Sequence, residues 1–412
     1  MKKYVLGGII ALLAMDTAAY ASELPVDYRS IKAQAMGGAS TASPNDMSGV
    51  LLNPAGLTLT RNPRNRKGVQ NVALPFPGEI GANEQMLAHI SADPDLWSKD
   101  LFESAQNNPG DQSYLEVQMF PAATFRAGSL STLMLGAPIR SETRVAFVEG
   151  NVDTAYVKAQ NTASFAMTAA TQTDRGLFRG GVTLRPNYRL SYETDSYAAE
   201  GNIRTKDFIK QMQSEGIGSS AVAMDVGMML TLPDEWFPTL AVAVRNLPTG
   251  CIDDYENPIT HEQEKMCGAI RSGGKAGDPN EARIDPTEVR AGVSLTPRLR
   301  VGHHILNIRV SADVYPLPVQ IDGDKYGIDH VATENIVHVG TEVFFGGSLK
   351  QQGLAVRGGW TEGMLSWGGN LALGALNLSY ASYGVSDSLP QPDGTYRDFM
   401  ERRHMFGVSL LF

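Results

Sequence analysis

Cysteine is scarce in this chain: 412 residues carry two, Cys251 and Cys267. That excludes a disulfide-stapled scaffold, and with only His261 nearby it leaves too few ligands for a structural zinc site. Long hydrophobic runs are missing as well. After residue 21 no stretch approaches the roughly 18 consecutive apolar residues that a membrane-crossing helix needs. Basic charge is not in excess either. The net charge is −9 and no long basic block occurs, which argues against a general affinity for nucleic acid. No Gly-x-Ser-x-Gly is present, so a hydrolase elbow is absent. Gly216-Ile217-Gly218-Ser219-Ser220-Ala221 matches a dinucleotide fingerprint in letters only, because it enters a strand rather than a helix. Asp322-Gly323-Asp324-Lys325-Tyr326-Gly327-Ile328-Asp329 resembles a calcium loop, but Tyr326 stands where a ligand belongs and Thr333 where the closing glutamate should be. No catalytic residue, metal site or cofactor is therefore expected, and the chain does not read as an enzyme.

What is present begins at the N-terminus. Lys2 and Lys3 precede an apolar run from Tyr4 to Met15 and then Ala19-Tyr20-Ala21. A short basic region, an apolar stretch of this length and a small-x-small site read as a secretory signal over 1–21. A membrane anchor is the other reading, but the run is too short to span a bilayer comfortably. Export means an oxidising compartment, so Cys251 and Cys267, both in a Gly-, Pro- and charge-rich stretch, are expected to form a loop disulfide.

The main signal is alternation. Val182, Leu184, Tyr188 and Leu190 alternate with Thr183, Arg185, Asn187 and Arg189, and Leu306, Ile308, Val310 and Ala312 alternate with Asn307, Arg309, Ser311 and Asp313. The pattern recurs through Val222–Leu232, Val289–Leu295, Val337–Phe345 and Leu376–Tyr380. A period of two gives each strand one apolar and one polar face. Alternation alone does not tell a soluble sandwich from a membrane barrel whose apolar face meets lipid. The connections do. Some 14 strand candidates lie between residues 67 and 412, and those of even number are followed by short turns such as Gly128, 173–176, 234–237 and Gly374. Those of odd number mostly lead into long loops, 77–112, 139–161, 193–219 and 248–286. Short turns on one side and long loops on the other belong to outer-membrane barrels, so the fold class is all-β, a transmembrane antiparallel barrel. Two aromatic belts are expected, Tyr192, Tyr315, Trp360 and Tyr383 at the outer rim and Trp236, Phe237, Phe345 and Phe412 at the periplasmic one. In the last strand Phe406, Val408, Leu410 and Phe412 share a face, and Phe412 is the final residue. This resembles the C-terminal signal by which such barrels reach their assembly machinery, which would make that machinery and membrane lipid partners.

Residues 22–66 lack this rhythm. They contain Gly37-Gly38 in a run of small residues, then Asp46 and Asn53-Pro54-Ala55-Gly56, whose small side chains and turn formers let a chain pack tightly on itself. The segment resembles the hatch of the FadL-like outer-membrane transporters, and most nearly that of the TraF-like, conjugal-transfer group; PorV-type proteins share the layout. The resemblance implies a 14-stranded barrel with 22–66 plugging the lumen of 67–412. It also implies passage of hydrophobic small molecules, captured among the outer loops and moved past the hatch or sideways through the wall. In that family a kinked third strand makes the side opening. Here the third strand, 129–138, offers only Gly136 and a terminal Pro138, whereas Pro186 sits inside the fifth. The conjugal-transfer label suggests the other reading, a structural component with secretion or conjugation partners in the envelope.

The polar faces carry Arg185, Arg189, Arg245, Arg290, Arg309 and Arg357 together with Asp225, Asp313 and Glu342. Inward charges of both signs suit a wet or plugged lumen. Nothing groups them into a binding site, so they are expected to hold the hatch, and Asn53 is expected to satisfy lumen donors and acceptors with its amide.

Overall fold

A computed structural model describes residues 27–60, 68–92, 105, 112–148, 151–198, 210, 212, 214–256, 263–273, 284–301, 304–317, 319–321, 324–326, 336–345, 353–390 and 396–412. The expected signal, 1–21, lies outside them, as do large parts of the outer loops.

Residues that alternate apolar and polar fold into 14 antiparallel strands closed into a barrel. These are β1 (Gly68–Asn83), β2 (Gln112–Met119 and Ala122–Ala127), β3 (Ser131–Gly136 and Ile139–Val148), β4 (Asn151–Ser164 and Ala166–Gln172), β5 (Phe178–Ala198), β6 (Ile217–Thr231) and β7 (Thr239–Arg245). Then come β8 (Glu288–Leu295 and Arg298–Val301), β9 (His304–Leu317), β10 (Val337–Phe345), β11 (Leu354–Thr361), β12 (Met364–Leu373), β13 (Leu376–Pro390) and β14 (Tyr396–Leu411). The ring closes where Ala73 faces Leu411 and Asn83 faces Arg403.

The faces are turned inside out relative to a soluble protein. Val182, Val222, Leu240, Val356, Trp367 and Phe406 stay exposed, while their polar neighbours Arg185, Asp225, Arg290, Glu342 and Arg403 are buried. An apolar surface running round a closed barrel far exceeds the few hundred Å² that soluble monomers expose, and it is stable only against lipid.

Three breaks, two of them at a proline, run across neighbouring strands at one level. β2 breaks at Phe120-Pro121, β3 at Ala137-Pro138 and β4 at Phe165. Proline brings no ladder N–H, but its carbonyl still accepts. Ala137 N donates to Pro121 O at 2.9 Å, Ser164 N to Pro138 O at 2.9 Å and Phe165 N to Pro186 O at 3.0 Å. The wall stays joined along this seam while each strand changes course.

Several expectations need correction. The stretch 139–161 is not a loop, since β3 and β4 extend through most of it as a paired hairpin. β1 runs to Asn83 and is followed by helix Glu84–Ala92, so part of 77–112 is ordered. In 248–286, Gly250–Glu256, Gln263–Ser272 and Ile284–Pro286 form an outer sheet whose second strand pairs with β6 beyond the end of β7. Here the strands outrun the membrane, and apolar character stops reporting which face is which. Of the expected outer aromatic belt, Tyr315 and Tyr383 turn inward, while Trp360 keeps the outward parity of Val356. Tyr383 packs inward with Ile31 and Ala35, and Tyr315 stacks on His338 with its hydroxyl donating to Gly38 O. Both occupy inward positions in the alternation of their own strands. Tyr192 does point outward, but Ala105, Met212 and neighbours cover it. At the short-turn end Trp236, Phe345 and Phe412 are exposed, Phe412 by 64%.

Candidate functional site: a filled lumen and a groove in the wall

Residues 27–60 contact inward-facing groups on many sides of the barrel. A helix, Ile31–Ala35, is capped by the Ser30 hydroxyl, which accepts from Ala33 N at 3.3 Å. Two 3-10 turns follow, Ser48–Leu51 and Pro54–Thr60. Gly37 and Gly38 adopt φ of 61° and 86°, where a side chain is strained. A Cβ on Gly37 would lie 2.5 Å from Trp360 N, and one on Gly38 would strike the Tyr315 hydroxyl and the His338 ring.

The wall answers with its own glycines. A Cβ at Gly181 would meet the Pro54 carbonyl carbon at 2.5 Å, one at Gly227 the Asn53 amide, and ones at Gly340 and Gly359 the Met36 backbone. All four sit on inward faces.

Between these close approaches run ion pairs, and all the predicted charges but Asp313 fall into three groups. Arg185 reaches Asp225 at 3.3 Å and pairs with Asp27, while Arg189 joins Asp27 at 3.2 Å and Asp285 at 2.8 Å. Arg309 and Arg357 hold Glu342 at 2.9 and 2.8 Å, and Lys32 comes within 3.9 Å of the same carboxylate. Burial holds the Lys32 ammonium down at about 8, against the pull of Glu342 and Asp46. Arg245 and Arg290 share Glu288, and Arg290 lies 3.7 Å over the Tyr315 ring. Asp313 accepts from Ser40 N at 2.7 Å and Thr41 N at 2.6 Å, gripping the segment by its backbone.

Of the remaining motif residues, Asn53, Asp46 and Gly56 turn on their own segment, while Ala55 meets the wall. Asn53 is fully buried, but its amide donates to Thr41 O at 2.9 Å and accepts from Ala55 N at 3.1 Å, so it braces the segment rather than the lumen wall. Asp46 accepts from Ser48, and Gly56 packs on Pro44. Ala55 is buried beside Ala42, Met229 and Ala241. Sequence reasoning missed a fourth group, in which Arg140, Glu116 and Glu142, and then Arg144, Asp387, Arg403 and Glu401, form a continuous buried chain that Arg29 also joins. The signal was the alternation Arg140, Glu142, Arg144, hidden because 139–161 read as loop. Cys251 and Cys267 are disulfide-bonded and face each other in the outer hairpin.

Beside the proline seam the wall carries a groove of about 680 Å³. It is lined on the lipid-facing side by Ile139, Tyr188 and Val222 and reaches Ser164, Asn187 and Ala221, which belong to inward faces. Among the described residues no charged one lines it.

No family model and no curated protein matches the sequence. Among solved structures the chain is similar to the Pseudomonas putida toluene transporter TodX, with 9% identity, a TM-score of 0.45, and coverage of 92% of this chain and 97% of that one. It is similar to the Ralstonia pickettii toluene transporter TbuX at 11% identity and TM-score 0.46, over 96% and 99% of the two chains. A Pseudomonas aeruginosa FadL homologue aligns at 8% identity and TM-score 0.36, over 96% and 99%. At these values the function has to be argued from the chain's own geometry.

Proposed function

We propose that the chain is a bacterial outer-membrane barrel that passes hydrophobic small molecules, with residues 22–66 as its hatch. The axis is an unfavourable route for such cargo, because the lumen is packed with the segment 27–60 and with paired charges. The observation that carries the reading is the uncharged groove at the seam. There the strands of β2 to β4 break and outward apolar residues meet inward small ones. A molecule partitioning between lipid and lumen would cross there without passing an ion pair. The notable break lies in β3, at Ala137-Pro138, and Pro186 stands opposite the break in β4. Phe412, exposed at the end of β14 and bonded through its backbone to Val72, is proposed as the assembly signal, its exposure being what supports the reading.

Uptake tests the proposal. Cells lacking their own hydrocarbon uptake barrel, supplied with this chain, should accumulate labelled ethylbenzene faster than cells with empty vector. Ile139→Trp, which fills the groove from outside, should return uptake to the background at unchanged barrel levels. Uptake indifferent to both would sink the transport reading.

A further inference from the structure

Two residues that line the groove each carry a buried side-chain polar atom with no hydrogen-bond partner among the described residues, Asn187 Nδ2 and Ser164 Oγ. Asn187 is 5% exposed and Ser164 8%. They face each other across β4 and β5, which sets their Cβ atoms roughly 5 Å apart. The orientation of the amide is fixed by its neighbour. Arg271 Nη1 donates to Asn187 Oδ1 at 2.8 Å, and a guanidinium can only donate. Arg271 is itself held by Asp285 at 2.7 Å and by the Ser219 hydroxyl at 3.0 Å. The free end of Asn187 is therefore its NH2, a donor, and the Ser164 hydroxyl beside it can donate too.

The surroundings narrow the ligand further. Among the described residues Arg185, Arg189 and Arg271 are matched by Asp27, Asp225 and Asp285, so no uncompensated cation is left for a carboxylate. A pure hydrocarbon would fill the apolar part and leave a buried donor unpaired, which is unfavourable. We propose that the groove binds an uncharged, largely apolar molecule carrying one acceptor oxygen, such as a ketone, ester or alcohol, which takes hydrogen bonds from Asn187 Nδ2 and Ser164 Oγ. This rests on the transport reading for its purpose, yet binding is measurable apart from passage.

The test uses full-length protein in lipid nanodiscs and three probes of one shape, acetophenone, ethylbenzene and benzoate. Binding is measured by equilibrium dialysis near neutral pH against empty nanodiscs. Acetophenone should bind about tenfold more tightly than ethylbenzene, as a hydrogen bond to a buried donor predicts, and benzoate more weakly than either. Asn187→Leu should remove the acetophenone advantage and Ser164→Ala should reduce it. Should the leucine variant fail to fold, Ser164→Ala carries the test, since it removes only a hydroxyl oxygen. Equal binding of acetophenone and ethylbenzene to the unaltered protein, or an advantage surviving both substitutions, would overturn the proposal. Selective binding without protein-dependent uptake would uphold this site and overturn the transport reading. Uptake without selectivity would do the reverse.

Discussion

Two arcs of the barrel wall are built on different principles. From β10 to β14 the ladders run without a shift, Leu376 facing Leu410 and Pro390 facing Tyr396 at the two ends of one hairpin. The β11–β12 turn is Glu362-Gly363 with φ of 49° and 74°, a two-residue connection matched to strand twist. From β2 to β5 the strands break at Pro121, Pro138 and Phe165, and a groove opens beside them. The continuous arc meets the helix Ile31–Ala35 and the glycine pair after it, through Gly340, Gly359 and Tyr383. The broken arc faces the 3-10 turn at Pro54 through Gly181. Regular pairing thus supports the helix of the segment, and irregular pairing occurs where the groove opens in the wall.

The largest expected effect comes from removing what lies between the arcs. Deleting 34–57 should leave the ladder closed, because every strand keeps both neighbours, and should turn a barrel of low conductance into an open pore for small polar solutes. Planar-bilayer recordings of the two purified forms decide it. If both fold and conduct equally little, the segment does not block the lumen and the distinction between a holding arc and an access arc loses its meaning.

The broken arc is tested next by straightening it. Pro138→Val restores an N–H and a β-branched side chain at the β3 break. The barrel should still form and still shift on heating in gels, while uptake through the groove falls several-fold. Unchanged uptake from a variant shown to have lost the break would detach the seam from passage. The matching change on the continuous arc is Gly359→Val. It drives a side chain into the Met36 backbone, and overpacking of this kind costs about 1–3 kcal/mol. The expected result is protease access to 27–60 with the barrel intact. Gly180→Val is the control, since a Cβ there meets only Phe178, at 3.9 Å.

How much of this was legible beforehand depends on which physical rule governed each residue. The 14 strands were readable because period-two alternation holds wherever one face meets lipid. It failed in 139–161, where β3 and β4 rise beyond the membrane and Val145, Phe147 and Val157 are outward yet covered by loop residues. The inward charges Arg185, Asp225 and Glu342 could be placed on a face by parity, but their grouping depends on which strands lie side by side and on Asp27 and Lys32 from the segment. The small-residue motif of 22–66 was visible as composition. Its complement, the wall glycines 181, 227, 340 and 359, was also visible as small residues on polar faces, and reading those positions as contact points would have located the segment. The groove was not legible, because it arises from breaks in adjacent strands falling at one height.

A smaller effect is expected at the carboxylate that grips the segment from β9. Asp313→Ala leaves the Ser40 and Thr41 N–H groups without their acceptor in a buried place, and each unpaired donor costs about 1–3 kcal/mol. Water entering the space will offset part of that. Proteolysis within 27–60 should therefore rise less than in Gly359→Val, and conductance should show brief openings rather than a permanent pore. Asp313→Asn, which keeps an acceptor oxygen, should restore most of the protection. Full protection in the alanine variant would mean that backbone fit against the wall glycines, not the carboxylate, seats the segment.

The smallest effect should come from the disulfide. A bridge between Cys251 and Cys267 closes a loop worth about 3 kcal/mol in chain-entropy terms. The two residues already face each other in a paired hairpin, however, and that hairpin pairs with β6 through Arg271 and Ser272. Opening the bridge therefore loosens the outer hairpin, whose Ile270 and Ser272 line the groove, while the ladders of both arcs stay paired. Replacing both cysteines by serine should leave the heat-modifiable barrel and its conductance unchanged, while protease cleavage within 250–272 increases. Because Arg271 orients Asn187, the same variant also measures how firmly the outer hairpin holds the groove. Binding of acetophenone should weaken by no more than about threefold if the Arg271 contacts to Asp285 and Ser219 are sufficient by themselves. A complete loss of the acetophenone advantage would show that the groove depends on the outer sheet, and the access arc would then have to include it.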